Sequence, residues 1–268
     1  MGWQFLGIIA IVCAAACAVG FKKFVYFLSV GYGFAIAAGG ITILILALCN
    51  GWTAAAWLLV LQCLLFVAYG ARLSGFLLYR ELKNASYKKI FSSINGSEEA
   101  KKMPVFVLVT IWIFVAILYT IQVSPMLFRH MNGHTDAVLP LIGIVISIAG
   151  LILETLADLQ KSAQKKENPK MVATKGLYRI VRCPNYWGEI TFWTGVFISG
   201  ITAYTQAGHW IIAIIAYICI VYIMFNGAQR LEKRQMERYG SDPAFNAYAD
   251  KTPIIIPFLP IYHLNRKK

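Results

Sequence analysis

The sequence has few charged side chains and lacks the motifs of soluble nucleotide-binding domains. Charged residues make up 14% of its 268 residues and hydrophobic residues 59%, whereas soluble domains carry about 25% charged residues. So apolar a chain is neither a soluble enzyme nor a disordered segment. No Gly-x-Gly-x-x-Gly and no Gly-x-x-x-x-Gly-Lys-Ser/Thr motif occurs. Any nucleotide would therefore be held by helices and their connections, not by a Rossmann domain or a P-loop.

Cysteine and histidine follow no pattern that is typical of a disulfide framework or a metal site. None of the six cysteines belongs to a Cys-x-x-Cys pair, and five lie inside apolar runs, where cysteine behaves as a small hydrophobic residue. His130 and His134 have the spacing of a helical metal pair, but Asn132 and Gly133 between them are expected to end the helix. We therefore expect no metal ion.

Long apolar runs dominate the chain, and each clears or nearly clears the roughly 20 residues that a helix needs to cross a bilayer. There are seven such runs, at 3–20, 24–49, 52–71, 105–127, 137–157, 187–204 and 210–225. The sequence therefore predicts an all-α, polytopic integral membrane protein with seven transmembrane helices in a single membrane domain, 1–268.

Lysine and arginine predict the orientation of these helices. With Arg72 counted as the end of helix three, the segments after runs one, three, five and seven hold 2, 6, 7 and 8 of them, while those after runs two, four and six hold none, one and none. Because cytoplasmic loops are enriched in Lys and Arg, the N-terminus is expected outside and the C-terminus in the cytoplasm. This rule and attraction to anionic lipids explain most of the net charge of +13 without nucleic acid as a partner.

Ionisable and amide side chains at the ends of the apolar runs depart from a plain membrane pattern, because such groups usually face a bundle interior or a cavity. All lie toward the predicted cytoplasmic ends, where any chemistry is then expected. They are Arg72, Glu154, Asp158, Asn185, Glu189, Arg230 and Glu232. Two interpretations stay open, a polar functional site or interfacial side chains and structural ion pairs. The second is favoured for Arg72 and Glu232 taken alone.

The segment before the sixth run combines a helix start with several cations. Pro184 suits the first turn of a helix, where free backbone N–H groups and the helix dipole favour an anion. Asn185 and Glu189 follow on one helix face. The cations just upstream are Lys165, Lys175, Arg179 and Arg182. This combination predicts a nucleotide whose phosphates lie at the helix start.

Three motifs follow one another in the C-terminal half. They are Glu154-x-x-x-Asp158-x-Gln160-Lys161, then Gly176-Leu177-Tyr178-Arg179-x-x-Arg182-x-Pro184-Asn185-Tyr186-x-Gly188-Glu189, and, after a basic helix, Ile256-Pro257-Phe258. Together with the seven-helix layout they resemble the steroid 5-alpha-reductase family, its bacterial members above all. The resemblance covers 154–260 and is weak over the first four helices. It implies a substrate side formed by helices one to four, 1–128, and a cofactor-binding part at 137–260.

The resemblance implies an NADPH-dependent oxidoreductase of the 3-oxo-5-alpha-steroid 4-dehydrogenase type, which acts on CH–CH groups by transferring a hydride to the beta carbon of an enone. A lipid or steroid-like substrate would enter from the bilayer of the bacterial inner membrane, and the active site would face the cytoplasm. Tyr69 would hydrogen-bond the substrate carbonyl beside Arg72, and Glu189 would orient the nicotinamide. The implied cofactor-binding residues are Asp158, Lys165, Arg179, Arg182, Asn185, Tyr186, Glu189, Arg230 and Arg234.

Three positions depart from the family's pattern. Cys183 and Gln229 stand where the family has histidine, and the second apolar run contains no acidic residue to partner Tyr69. A tyrosine hydroxyl aimed at the carbonyl would still stabilise the negative charge that develops there. The alternative for Tyr69 is plain packing with a satisfied hydroxyl.

Two other functions stay open beside the reductase. Methyltransferases that use S-adenosylmethionine on isoprenylcysteine or phospholipids share part of the motif, but typically carry a Glu-Glu pair where this chain has Glu232 among cations. A lipid-binding or assembly protein would leave Asp158, Asn185 and Glu189 without a task. The sequence favours the reductase, with sterol, polyprenoid and fatty enones as equally suitable substrates, and it predicts no oligomeric state.

Overall fold

The computed structural model describes residues 3–53, 55–83, 104–169 and 171–265, and all regular secondary structure within these ranges is helical. Its α-helices are α1 (Trp3–Cys17), α2 (Val30–Asn50), α3 (Ala56–Lys83), α4 (Val105–Met131), α5 (Val138–Glu167), α6 (Pro184–Gly200), α7 (Ala207–Tyr239) and α8 (Pro243–Lys251). Short 3₁₀ segments occur at Ala18–Phe21, Phe24–Leu28, Gly176–Arg179 and Ile201–Ala203. The predicted all-α class is confirmed for the described residues.

Six helices of the described chain are long and apolar enough to cross a membrane. They are α2, α3, α4, α5, α7, and α1 together with the turn that follows it, Trp3–Phe21. The chain thus has the helices of a polytopic integral membrane protein, as predicted. The sixth apolar run differs, because its helix α6 has only 17 residues. Seven crossings and the orientation stay predictions.

Three helices continue well past the apolar runs from which they were predicted. The runs end at 71, 157 and 225, but α3, α5 and α7 end at Lys83, Glu167 and Tyr239. The last turns of all three carry basic side chains, which suit the negative end of the helix dipole. Hydropathy marks the part of a helix that lipid can contact, so it misses these polar extensions.

The second apolar run begins as a 3₁₀ segment, and α2 starts only at Val30. The chain before it is tied to the end of α3 by Glu81. Its carboxylate accepts hydrogen bonds from the Lys23 ammonium and, at 2.5 Å, from the Tyr26 hydroxyl. The hydrogen bond to Glu81 raises the pKa of Lys23, so the Lys23 ammonium stays protonated and keeps this contact at neutral pH.

Helix α4 contains an internal proline whose missing hydrogen bond is replaced locally. Pro125 has no N–H to donate to the carbonyl of Ile121, four residues earlier. The hydroxyl of Ser124 donates to that carbonyl at 2.7 Å. Such replacement matters in a membrane, where no water satisfies an exposed backbone group.

The chain divides into two compact units. Unit 1 is Met1–Ile144 with Val196–Ala216, and unit 2 is Val145–Gly195 with Tyr217–Lys268. Tyr69 and Arg72 belong to unit 1, and all predicted cofactor-binding residues belong to unit 2. The single membrane domain predicted from the sequence, with its parts at 1–128 and 137–260, stays a prediction.

Unit 1 contains a close contact between α2 and α3. A Cβ atom at Gly33 would lie 2.7 Å from the carbonyl oxygen of Gly70, so glycine is needed for the backbones to approach. The hydroxyl of Ser74 donates to the carbonyl of Val30 at 2.8 Å beside this contact. Gly39, further along α2, faces Val123 of α4.

Unit 2 is organised around the crossing of α5 and α6. A Cβ atom at Gly188 would lie 2.7 Å from the backbone nitrogen of Glu154, and one at Gly150 would lie 2.7 Å from the carbonyl oxygen of Gly188. The hydroxyls of Thr194 and Tyr217, 2.8 Å apart, join α6 to α7. Gly188 of the second motif therefore has a packing role at the crossing of α5 and α6.

Candidate functional site

The start of α6 is held by the C-terminal segment of the chain. The helix begins at Pro184, as predicted. The backbone N–H groups of Arg182 and Cys183 donate to the carbonyls of Pro253 and Ile254, each at 2.8 Å. Cys183 and Ile254 then belong to one buried cluster. The third motif, which begins two residues after Ile254, is thus held close to the second.

Two glutamines of α5 hold the loop that precedes α6. The side-chain oxygen of Gln164 accepts from the backbone N–H groups of residues 174 and 175, both at 2.9 Å, and that of Gln160 accepts from Leu177 at 2.8 Å. Gly176 has a φ of +67°, which residues other than glycine rarely adopt, and a Cβ atom there would collide with the Gln160 side chain. Gln160 and Gly176 of the motifs therefore position this loop.

Three of the predicted cofactor-binding charges act on one side chain, Tyr186. The charges of Arg230 and Arg234 on α7 and of Asp158 on α5 all influence the Tyr186 hydroxyl. Arg230 and Arg234 are exposed and form no ion pair with any described residue. The fold therefore brings these four predicted residues together from three helices.

Arg179, Asn185 and Glu189 differ in how accessible they are. Arg179 is exposed and Asn185 half-buried, and neither side chain forms a hydrogen bond within the described part of the chain. Glu189 is 6% exposed and accepts a hydrogen bond of 3.0 Å from the indole of Trp193, one turn further along α6. Arg179 and Asn185 are thus open to a ligand, while Glu189 is oriented by Trp193.

Arg182 is buried in an ion pair instead of facing solvent. Its Nη2 donates to Glu232 Oε1 at 2.8 Å and to the carbonyl of Tyr262, and both side chains of the ion pair are 1% exposed. Its Nε and Nη1 have no partner among the described residues. This ion pair supports the interpretation of Glu232 as part of a structural ion pair.

Lys165 uses all its donors inside the protein. Its ammonium donates to the carbonyls of Pro169, at 3.2 Å, and Met171, and to the Tyr239 hydroxyl at 2.9 Å. Since an ammonium has three N–H donors, a phosphate would have to displace one of these contacts. In this arrangement Lys165 holds the end of α5 against α7.

His263 belongs to the polar network of Arg182 and Glu232, although the sequence pattern did not indicate it. Its Nδ1 lies 3.0 Å from Glu232 Oε1 and its Nε2 lies 2.8 Å from Asp250 Oδ1. The three residues come from separate segments, so no spacing marks them as a group. The signal for Trp193 was stronger, because it follows the predicted Glu189 by four residues in a helix.

Burial makes the Cys183 thiol a poor acid–base group. It raises the pKa of that thiol to about 12, so Cys183 remains a neutral thiol at neutral pH. Burial also raises the pKa of Tyr178, and the charge of Asp158 adds to the effect. Neither residue is suited to transferring a proton near neutral pH. The described residues contain no group of three or more His, Cys, Asp or Glu side chains that could hold a metal ion.

Tyr69 and Arg72, the predicted substrate-binding residues, lie among aromatic rings in unit 1. Tyr69 is fully buried and contacts Tyr32 edge to face, with ring centroids 5.8 Å apart. Tyr32 stacks on Tyr119 at 4.7 Å. Arg72 is half-buried and lies over the ring of Phe76 at 5.9 Å. The role of Tyr69 and Arg72 toward a substrate stays a prediction.

The fold and this arrangement define a class of helical membrane proteins with polar side chains gathered at one helix start. Residues 25–252 match the family described as "Protein of unknown function (DUF1295)", and the chain belongs to this family. No curated protein and no solved structure matches the chain.

Proposed function

We propose that this protein is an NADPH-dependent membrane reductase of the steroid 5-alpha-reductase type, which transfers a hydride to the beta carbon of an enone in a lipid. The observation that carries the proposal is the convergence of Asp158, Arg230 and Arg234 on Tyr186 at the start of α6. Two arginines beside a tyrosine at a helix start suit a ligand that carries both phosphates and an aromatic ring.

The donors of unit 2 fit a dinucleotide with several phosphates. Arg179, Arg230 and Arg234 are exposed without an ion pair among the described residues, and a guanidinium binds two phosphate oxygens at once. Arg182 is already paired with Glu232 and buried, so it is not counted among these phosphate-binding arginines. We assign the phosphates to these arginines, and the carboxamide of the nicotinamide to Asn185 and Glu189.

The chemistry divides between the cofactor and the chain. When bound, NADPH supplies the hydride. Tyr69 would donate its hydroxyl hydrogen bond to the carbonyl oxygen of the enone, because negative charge develops there as the beta carbon is reduced. Arg72 would add a positive charge near that oxygen. Glu189, held by Trp193, would orient the cofactor and take no part in proton transfer.

The same proposal includes a seventh crossing and an orientation. Helix α6 has 17 residues and the 3₁₀ segment that follows it has 3, which together reach the roughly 20 residues that a crossing needs. The alternation of Lys and Arg between successive loops supports an outside N-terminus and a cytoplasmic C-terminus. The cofactor site would then face the cytoplasm of a bacterial cell, and a lipid substrate would enter from the inner membrane.

Ligand-induced stabilisation tests the cofactor directly. Purified protein in detergent is titrated with NADPH, NADH and S-adenosylmethionine while its melting temperature is followed, because a ligand that binds the folded state stabilises it. We expect the largest increase with NADPH and none with S-adenosylmethionine. The reverse result would identify a methyltransferase, and no response to any of the three would leave a non-enzymatic lipid-binding protein.

A pair of neighbouring variants separates specific phosphate binding from general positive charge. Arg234→Gln removes an arginine whose charge reaches Tyr186, and Lys233→Gln removes an exposed neighbouring charge outside that cluster. The affinity for NADPH should fall in Arg234→Gln and change little in Lys233→Gln. Equal losses in both variants, or equal affinity of the wild type for NADH and NADPH, would assign the cations to membrane topology alone.

A further inference from the structure

Unit 1 contains a pocket that has no part in the proposed reductase. Its volume is about 390 Å³, and it is formed where α1 and α7 begin and where α2 and α4 end. The residues that matter for its chemistry are Trp3, Trp52, Asn132, Gln206 and His209. We call this the aromatic pocket.

Two rings of the pocket wall, Trp3 and His209, pack on each other and on Phe128, which lies behind the lining. His209 stacks on Phe128 with ring centroids 4.1 Å apart, and Trp3 contacts His209 at 5.7 Å and the edge of Phe128 at 6.5 Å. Trp3 and Trp52 are nevertheless 51% and 48% exposed as whole residues. Both therefore retain surface that a ligand can contact, and the indole of Trp3 is packed against its neighbours.

Several hydrogen-bonding groups of the pocket are not used by the protein. The indole N–H groups of Trp3 and Trp52 and the side-chain amide of Gln206 have no partner within the described ranges. Asn132 donates from Nδ2 to the carbonyl of Ala203 at 2.8 Å and to Thr205 Oγ1 at 3.1 Å. This fixes the amide of Asn132 and leaves its oxygen as an acceptor. The pocket thus offers donors and acceptors together.

The described part of the lining carries no Asp, Glu, Lys or Arg side chain. Arg129, next to His130 of the lining, is saturated: it bonds both carboxylate oxygens of Asp136 at 3.1 Å and Thr202 Oγ1 at 2.8 Å. A phosphate, a carboxylate or an ammonium group would therefore enter without a counter-charge, at the cost of its desolvation.

We propose that the aromatic pocket binds an uncharged, hydroxyl-rich ring of the hexose type, either as the headgroup of a glycolipid or as a free sugar. Indole faces cover the apolar C–H face of such a ring, while indole N–H and amide groups hydrogen-bond its hydroxyls. A quaternary ammonium group would use the rings but leave those donors and acceptors unmet, which is costly once water is excluded. Only a ligand with both kinds of surface matches the whole lining.

The test uses the purified full-length chain in nanodiscs of phosphatidylcholine, with tryptophan fluorescence and melting temperature as readouts. One arm titrates methyl β-glucoside into these nanodiscs. The second arm replaces part of the lipid by a glucosyl diacylglycerol, and the third titrates tetramethylammonium chloride. If the ligand is a free sugar, we expect a saturable response in the first arm. If it is a glycolipid headgroup, we expect a response in the second arm alone. We expect none in the third arm in either case.

Two variants and a matched control tie the response to the pocket. Trp52→Ala and Asn132→Ala should weaken the response at least tenfold, whereas Trp57→Ala removes a similarly exposed tryptophan of the next helix outside the lining and should keep it. No response in either sugar arm, an unchanged response in Trp52→Ala and Asn132→Ala, or a response to tetramethylammonium alone would overturn the proposal. Stabilisation by NADPH should be the same in all three variants, so the two proposals fail separately.

Discussion

Arg182 and Glu232 form an ion pair of 2.8 Å in which both side chains are almost completely buried. The pair joins the segment before α6 to α7, and Glu232 also accepts hydrogen bonds from the backbone N–H groups of Leu264 and Asn265, at 2.8 and 3.0 Å. One carboxylate therefore fixes three segments that meet beside the start of α6.

Removal of Glu232 should destabilise the protein strongly. Glu232→Ala leaves the Arg182 charge buried without its partner, and breaking a buried pair in this way costs about 3–5 kcal/mol. Chemical unfolding in detergent would measure the loss. Glu237→Ala, an exposed acidic residue of the same helix, is the control and should change the free energy of unfolding little. Similar effects of the two substitutions would show that the ion pair has no special role.

The α5–α6 crossing predicts opposite outcomes for two Gly→Ala substitutions. At Gly188 the new Cβ would lie 2.7 Å from the backbone nitrogen of Glu154, so Gly188→Ala should cost about 1–3 kcal/mol by overpacking. At Gly75, inside α3, nothing lies within 4 Å, so Gly75→Ala should be neutral or stabilise by roughly 0.5–1 kcal/mol. Melting temperatures of both variants would check this; a stable Gly188→Ala would contradict the close crossing.

The Arg129–Asp136 pair predicts a loss of stability in acid. Burial alone would raise the pKa of Asp136, but hydrogen bonds from Arg129 and Thr202 hold it below the usual 3.8. Because the pKa is lower in the folded state, this stabilisation is complete above pH 3.8 and is lost as the pH falls from there through the folded-state pKa. Unfolding measured across this range should show the loss in the wild type. Asp136→Asn should lack the pH-dependent stabilisation that Asp136 provides. An identical pH profile of unfolding in the variant and the wild type would show that Asp136 does not cause the loss in acid.

Tyr69 and Glu189 should give different kinetic phenotypes. Tyr69→Phe removes one hydroxyl and nearly preserves volume, so NADPH binding should survive while enone reduction falls roughly a hundredfold to a thousandfold. Glu189→Ala should weaken NADPH binding itself, because Glu189 lies in the helix that begins at the proposed phosphate site. Steady-state assays with progesterone or a shorter cyclic enone, beside a binding titration of each variant, would separate the two. Undiminished turnover in Tyr69→Phe would remove Tyr69 from the mechanism.

Much of the fold could be predicted from hydropathy, but helix ends and short helices could not. Apolar length marks where lipid surrounds a helix, so six long helices follow directly from the runs. The polar ends of α3, α5 and α7 are stabilised by tertiary contacts such as that between Lys165 and Tyr239, which no local pattern reveals. Helix α6 is short because it begins at Pro184 and gives way to a 3₁₀ turn at Ile201.

The candidate site was predictable where one helix face or one motif carries it, and not where the fold assembles it. Asn185, Tyr186 and Glu189 share the start of one helix, as the second motif indicated, and their cofactor-binding role stays a prediction. Arg182, by contrast, is taken up by Glu232, and the network extends to His263, because distant segments meet there. Charge counts along a sequence do not distinguish an exposed cation that can bind a ligand from one that an internal carboxylate already neutralises.

Isotope transfer tests the central proposal most directly. The purified protein is incubated with NADPH that carries deuterium at the transferable position and with a cyclic enone, and the product is examined by mass spectrometry and NMR. A saturated ketone with a single deuterium at its beta carbon is the predicted result, with the yield lowered in Arg234→Gln and unchanged in Lys233→Gln. Unlabelled enone recovered intact from a protein that NADPH stabilises would contradict hydride transfer to enones, and a protein that NADPH does not stabilise would contradict the cofactor as well.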